Sequence, residues 1–355
     1  MSNEVKKTDG RGFLSGEYVN LDHDIDKDQW LRDVFPEWGS FLNKEIENRE
    51  VPKGEVSLWW CGGPSWVIKT DEGGVFMIDM YCGSSMYTEL HYCGVCKQSG
   101  ADSINWIRLN PHVIDPWEFK QLDGVFCTHS HQDHCDLYAV KATLKTTDAM
   151  YYAPPHTVKK LKNFGVPDKR ITVAKVGESV KVKGAEVDFL ICYDQTVIKT
   201  GEGDVLLPYE EAACCFLFKT SAGNILFMGD TWYHDGYIAI REKYNIDIAI
   251  FDMGSNAPGA TDKMPPYDCA RIGQVLDAKL LIPDHYDNWA NTAGDPELLV
   301  NQFERIVKEN TPHIKTMIMR CGGRFDYPKD QDKGRYRYPD GSERYNFAKS
   351  AFAKK

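Results

Sequence analysis

The sequence predicts an α/β protein in which two mixed sheets pack face to face and helices cover the outer faces. Three observations predict it. Short apolar runs bounded by glycine turns fill the chain from Val56 onward. Further along, such runs alternate with segments of helical period. Two sheets with helices outside would cover all of this apolar surface. No composition break divides the run, so one domain is expected over residues 28–355, behind a polar extension at 1–27.

The elements follow in order. The extension, with LDHDIDKD, is acidic and polar, and is expected to be ordered only where something covers it. In WLRDVFPEWGSFLNKEIE, the apolar positions Trp38, Phe41, Leu42 and Ile46 recur at helical spacing. Pro36 suits a first helical turn, so a paired-helix lead-in is expected. VSLWW, WVIKT and VFMID read as strands separated by Gly62-Gly63 and Gly73-Gly74. An irregular insertion rich in Gly, Cys, Asn and aromatics runs from Tyr81 to about Phe119. A loop of that length in a compact domain is usually functional or a lid.

LDGVFCTH returns to a buried strand, and DLYAVKATLKTT after it reads as a helix. MYYAP, ITVAK and EVDFLICYD are further strands, with the helix-like HTVKKLKNFG between the first two. CCFLFKT and NILFMGD form a hairpin across SAG. IDIAIFDM, KLLIPDHY and KTMIMR complete the strands, with helices around Asp268–Leu276 and Glu297–Lys308.

Composition narrows the function. The chain has 355 residues, a net charge of −10 and a mean hydropathy of −0.45, which describes a soluble globular protein. No apolar run is long enough to span a membrane, and no secretory h-region opens the chain, so a cytoplasmic location is expected. The acidic balance argues against nucleic acid as a partner. The 11 scattered cysteines then read as reduced thiols. Cys93 and Cys96 form a lone C-x-x-C without the second pair that a structural zinc site needs.

CTHSHQDHC, Cys127 to Cys135, holds three of the ten histidines. His129 and His131 are two apart in an extended segment, so both side chains project to one side. Asp133 and His134 follow where the chain can turn. The segment can offer two groups to one metal ion and two to another, and nitrogen with carboxylate oxygen suits a borderline divalent ion. His91, His112, His234 and His313 lie outside this pattern.

H-x-H-x-D-H directly after a strand resembles the metallo-β-lactamase-fold hydrolases, which implies an αββα four-layer sandwich. The family's other elements have counterparts here. Asp79, ending VFMID, matches the aspartate that braces the histidine loop. Asp230 in NILFMGDT matches the aspartate that bridges the two ions, and His285 in LLIPDHYD matches the last histidine. One element departs. Where the common family has a further histidine, at the end of EVDFLICYD, this chain has Asp194. The resemblance thus implies one site of His129, His131, Asp194 and Asp230, and a second of Asp133, His134, Asp230 and His285. The added carboxylate shifts preference from zinc toward manganese. One or two ions per chain are expected, with manganese favoured and zinc or iron as alternatives.

FPEWGSFLNKEIE, LWWCGGPSWVIKT, GVPDKRITVAKVGESVKV, ATDKM and CGGRFDYP are similar to the cytosolic L-ascorbate-6-phosphate lactonases, over about Trp30 to Pro328. That resemblance implies opening of a phosphorylated lactone, L-ascorbate 6-phosphate, to 3-keto-L-gulonate 6-phosphate, with hydroxide generated at the ions attacking the carbonyl. Asp133 is the candidate that orients the water and moves its proton. Lys263 in ATDKM, Arg324 in CGGRF and the backbone of Gly322 and Gly323 are candidate phosphate contacts. A departure is Gln195, where an arginine often follows the aspartate. The Trp-rich surface of such enzymes often assembles, so a homo-oligomer is possible and the oligomeric state stays open. Two alternatives stay open at this point: a phosphodiesterase or nuclease of the same fold, and a metal-bearing relative without activity.

Overall fold

A computed structural model describes residues 26–27, 41–83, 108–200, 205–256, 263–289 and 294–338. Nearly all of the expected polar extension, the lead-in with Pro36 and Trp38, and the middle of the insertion with His91 and Cys93–Cys96 lie outside the described residues.

The first sheet is built from β1 (Val56–Trp60), β2 (Trp66–Thr70), β3 (Val75–Ile78), β4 (Gly124–Phe126), β5 (Met150–Ala153), β6 (Ile171–Val173) and the late strand β14 (Gly323–Tyr327). Their order is β14-β1-β2-β3-β4-β5-β6. The second sheet is built from β7 (Ser179–Val182), β8 (Ala185–Ile191), β9 (Cys214–Thr220), β10 (Asn224–Phe227), β11 (Ile248–Asp252), β12 (Leu280–Asp284) and β13 (Lys315–Thr316), in the order β13-β12-β11-β10-β9-β8-β7. Each sheet is antiparallel on one side and parallel on the other. β1, β2, β3 and β14 pair antiparallel, and β3 to β6 run parallel. β7 to β10 pair antiparallel, and β10 to β13 run parallel.

The strands read as continuous apolar runs because both faces of each sheet are covered. β1 shows it residue by residue. Val56, Leu58 and Trp60 point into the core between the sheets, whereas Trp59 packs on the outer face. The inner core also takes Trp66, Ile68, Phe76, Phe126, Phe216, Phe218 and Phe227. Trp60 stacks on Trp66 at 6.2 Å and meets Tyr286 at 5.1 Å. A buried indole removes roughly 150–250 Å² from water, a gain of about 4–6 kcal/mol at ~25 cal/mol/Å² before ordering costs.

Helices close both outer faces. α1 (Phe41–Asn48), α2 (Leu137–Thr146) and α3 (Pro155–Asn163) cover the first sheet with Leu42, Ile46, Leu137, Val140, Val158 and Leu161. Asp136 caps α2 by accepting from Ala139 N. On the second sheet, after the short α4 (Tyr209–Ala212) and α5 (Ile238–Lys243), α6 (Pro266–Leu276) and α7 (Pro296–Asn310) bury Ile272, Leu276, Val300, Phe303 and Val307. The result is the expected four-layer order of helix, sheet, sheet, helix.

One reading of the sequence needs correction, and two strands escaped it. KTMIMR is not a full strand: only Lys315 and Thr316 pair with β12, and Ile318 makes an isolated bridge to Arg335. β7 went unread because it is an edge strand whose alternate residues face solvent. β14 went unread because its apolar signal is diluted by Gly323, Arg324 and Asp326; its pairing with β1 makes it a strand.

Candidate metal centre

The groups that could hold a metal sit where strands of both sheets end. β3 leads into Asp79, β4 into His129, β8 into Asp194, β10 into Asp230, and β12 into His285. The sheets are joined at this edge: Cys214 N donates to Thr128 O at 2.9 Å, and His129 forms an antiparallel bridge with Ala213. The histidine loop then curls tightly, with Cys135 N donating to His131 O at 2.8 Å. Lys160 holds it from α3 through Ser130 O at 2.7 Å.

Two groups of donor atoms result, each within 4.8 Å of one another: His129, His131 and Asp230, and then Asp133, His134 and His285. All six residues are buried. Asp230 Oδ1 is 3.1 Å from His134 Nε2 and 2.9 Å from His285 Nε2, so this carboxylate touches both groups. Asp194 Oδ2 lies 3.8 Å from His129 Nε2. Its other oxygen accepts from Thr196 N at 2.7 Å and Val197 N at 3.0 Å, which fixes the carboxylate. The structure therefore brings together His129, His131, Asp133, His134, Asp194, Asp230 and His285.

Two of the four imidazoles, His134 and His285, are oriented from behind by carboxylates. Asp79 Oδ2 lies 2.9 Å from His134 Nδ1, and its two oxygens also accept from Thr128 N at 2.7 Å and Thr128 Oγ1 at 2.6 Å. Asp284 Oδ1 lies 2.7 Å from His285 Nδ1, while Oδ2 accepts from Trp66 Nε1 at 2.9 Å. Both histidines thus give their Nδ1 hydrogen to a carboxylate and turn Nε2 inward. The aims have a backbone cost: Asp79 and His285 stand at φ 47° and 60°, left-handed positions that non-glycine residues seldom hold.

Electrostatics divides the two groups. Burial, helped by the neighbouring imidazoles, holds His129 well below its ordinary value, and burial pushes His131 down to about 3. Both are neutral and able to ligate. Burial also opposes charge on His134 and His285. The carboxylates of Asp230, Asp79 and Asp133 nevertheless raise His134 well above its ordinary value, and Asp230 and Asp284 help raise His285 to about 9. Their Nε2 atoms are only 3.1 Å apart, so a proton or a metal ion must separate the two lone pairs. Burial raises Asp194 to about 6, with Asp230 adding to it. Asp230 is held well below the carboxylate range: burial works against this, and Lys263, His285 and His134 outweigh it.

These residues fit a divalent ion. His131 Nε2 and Asp194 Oδ2 are buried without a hydrogen-bond partner, at a cost that ligation would remove. The donors are imidazoles and carboxylates, the set expected for a borderline or hard ion.

The expected phosphate contacts fare differently. Lys263 is buried and ion-paired with Asp230, inside the candidate metal centre. Arg324 lies on the outer face of the first sheet, paired with Glu45 of α1 at 3.0 Å and with Asp326 at 3.4 Å. Gly322 N donates to Trp60 O at 2.7 Å and Gly323 N to Arg320 O at 2.8 Å, so neither amide is available to an anion. His234 stacks on Tyr193 at 3.7 Å and accepts from Gly236 N as a turn residue. Sequence reading missed Asp284, Asp252 and Asn288. Asp252 Oδ1 fixes the backbone after Asp230 by accepting from Thr231 N at 2.7 Å. Asn288 Nδ2 donates to Asp133 Oδ2 at 3.0 Å. A signal for the first two was present: β11 and β12 both end in aspartate, as the strand runs at Asp79 and Asp230 do.

Comparison with known proteins agrees with this geometry. The family described as "Beta-lactamase superfamily domain" matches residues 102–286. The "Probable L-ascorbate-6-phosphate lactonase UlaG" of Escherichia coli O45:K1 (strain S88 / ExPEC) is 33% identical over 333 residues, covering 89% of this chain and 94% of that one. Its counterpart in Shigella flexneri is 34% identical over 334 residues with the same coverage. Among solved structures, Igni18, a metallo hydrolase from Ignicoccus hospitalis KIN4/I, superposes with a TM-score of 0.53 at 17% identity, covering 77% of this chain and 98% of that one. The chain belongs to the metallo-β-lactamase superfamily, as a metal-dependent hydrolase of the family that contains the L-ascorbate-6-phosphate lactonases.

Proposed function

We propose that the protein is a lactonase that opens the ring of a sugar-acid phosphate, with L-ascorbate 6-phosphate converted to 3-keto-L-gulonate 6-phosphate as the assigned reaction. The observation that carries the reading is the 33% identity to a named lactonase over 89% of the chain, joined to a donor set in which Asp194 stands beside His129.

The proposed ligands are His129, His131, Asp194 and Asp230 for one ion, and Asp133, His134, Asp230 and His285 for the other. Oxygen-rich ligation favours manganese. Divalent ions bound there would supply Lewis acidity for the acyl oxygen and a nucleophilic water at neutral pH.

The chain's own residues do the rest. Asp133 orients the attacking water and takes its proton at a carboxylate oxygen, with Oδ2 steadied by Asn288. The same proton can then pass to the leaving ring oxygen. Asp79 and Asp284 keep His134 and His285 in one tautomer through the cycle. Lys263 keeps a positive charge against Asp230 and limits the net negative charge that an anionic substrate meets. A cytoplasmic location goes with this reading, since the nine described cysteines are all free and buried.

The test is direct. Manganese-loaded protein is incubated with ascorbate 6-phosphate and the enediol absorbance is followed. Loss of absorbance well above a His129→Ala control is expected; none above that control removes the assignment. Faster cleavage of a generic phosphodiester than of any lactone would replace it with a phosphodiesterase.

A further inference from the structure

The long insertion has no role in the reaction as described, yet its inner end runs into the metal centre. Leu109 N donates to Asn288 O at 3.0 Å, and Arg108 forms an antiparallel bridge with Trp289. Arg108 is buried. Its Nε donates to Asn110 O at 3.0 Å and to Asn110 Oδ1 at 2.7 Å, and Nη1 donates to Tyr81 O at 2.9 Å. Asn110 Nδ2 in turn donates to Asp287 O at 3.1 Å and Asp287 Oδ1 at 3.3 Å. One residue further on, Asn288 Nδ2 donates to Asp133 Oδ2 at 3.0 Å. A connected series of hydrogen bonds and backbone pairs leads from a buried guanidinium to a carboxylate of the second donor group.

The backbone opposite is shaped for the two asparagines. A Cβ on Gly62 would lie 2.6 Å from Asn110 Cγ, and one on Gly63 would lie 2.7 Å from Asn288 Oδ1. Any side chain in this Gly-Gly pair would displace one asparagine. The direction of the Asn288 amide is also fixed. An ionised carboxylate only accepts, so Nδ2 must be the atom facing Asp133. That bond takes Asp133 Oδ2. It restrains a side chain that otherwise lies 3.8 Å from His134 Nε2 and 3.9 Å from His285 Nε2, distances too long for direct hydrogen bonds.

We infer that Arg108, Asn110 and Asn288 form a positioning relay that sets Asp133 in the second metal group, so that the inner end of the insertion tunes that group. The relay rests on the reading of Asp133 as a metal donor, but not on the identity of the substrate. It acts through orientation: the guanidinium seats Asn110 and Tyr81, these seat the loop after His285, and Asn288 holds the carboxylate.

The test is a manganese titration of the full-length protein that resolves two binding events. In Asn288→Ala, the dissociation constant of one ion rises about 10–100-fold, the range for loss of an outer partner, and the other ion is unaffected. Arg108→Met and Asn110→Ala weaken the same ion, and Arg108→Lys does not restore it, because an ammonium lacks the planar fork. Adding Arg108→Met to Asn288→Ala brings no further loss, since both act along one series of contacts. Unchanged affinity in Asn288→Ala, or additive losses in the double variant, overturns the relay. Should Arg108→Met fail to fold, Asn110→Ala with Asn288→Ala carries the same cycle. Manganese alone is the probe, so absence of lactone hydrolysis would leave this result standing, and loss of the relay would leave the lactonase standing.

Discussion

The Asp284 carboxylate ties Trp66 of the first sheet to His285 of the second. One oxygen accepts the indole N–H at 2.9 Å and the other meets His285 Nδ1 at 2.7 Å. One side chain therefore fixes both an indole of the inter-sheet core and the aim of a proposed metal donor. Asp284→Asn can accept from only one of these two donors and presents an N–H to the other. Manganese affinity is expected to fall about 10–100-fold, with the sheets intact by circular dichroism. Chelator competition measures it, and wild-type affinity in the variant would contradict the role given to Asp284.

The proposed ligand Asp194 is expected to bias the choice of metal. It stands 3.8 Å from His129 Nε2 with one oxygen fixed by two backbone amides. Asp194→His exchanges an oxygen donor for an imidazole and should raise zinc affinity relative to manganese. Asp194→Ala should lose one ion outright. Metal content after dialysis against an equimolar mixture checks both, and an unchanged zinc-to-manganese ratio in Asp194→His places Asp194 outside the coordination sphere.

How much of this site was legible in the sequence depended on separation along the chain. His129, His131, Asp133 and His134 are nearly contiguous, and their pattern alone can offer two groups to one ion and two to another. Asp230 and His285 are legible through the family resemblance, each ending an apolar run as the family's ligands do, and Asp194 because it stands where the family has a histidine. Asn288 was not legible: it meets Asp133 across 155 residues and sits in a loop with no periodicity. Lys263 reads from the sequence as a candidate phosphate contact, because nothing local shows that the chain buries it beside Asp230. Arg324 was misplaced for a related reason. Its pairing with Trp59 across β1 and β14 puts it on the outer face, toward α1. The buried strands were legible because both faces are apolar, and β7 was not, because its alternating surface residues suit an edge.

The raised His285 value has a consequence for pH. Its value in the metal-free fold is about 9, above the ordinary 6.5, because Asp230 and Asp284 outweigh burial and the Lys263 charge. Charged His285 therefore stabilises the metal-free protein fully below about pH 6.5, and this contribution is lost as pH rises through about 9. Metal binding requires the neutral ring, so manganese affinity rises with pH over the same window and protons are released on binding at pH 7. Thermal melts with and without chelator should diverge as pH rises from 6.5 to 9. Titration calorimetry in buffers of different ionisation enthalpy reports the released protons, and buffer-independent heats would contradict the assignment.

Gly229 couples Asp230 to the histidine loop through bare contact. Its φ is 61°, and a Cβ there would lie 2.4 Å from Thr128 Oγ1 and 2.8 Å from Thr128 Cβ. That hydroxyl is the one bonded to Asp79 and lying 3.1 Å from His129 Nδ1. Gly229→Ala must strain the backbone, at about 1–2 kcal/mol for a left-handed residue, and also push Thr128 off Asp79. Thr128→Ala removes the hydroxyl's bond to Asp79 but strains no backbone and keeps the bond from Thr128 N to Asp79. The expected order of stability in urea is wild type, then Thr128→Ala, then Gly229→Ala, with Gly229→Ala also the weaker manganese binder. A Gly229→Ala protein as stable as Thr128→Ala would show that the loop yields to the added methyl, and that the close seat of Thr128 on Gly229 is not what holds Asp79 and His129 in register.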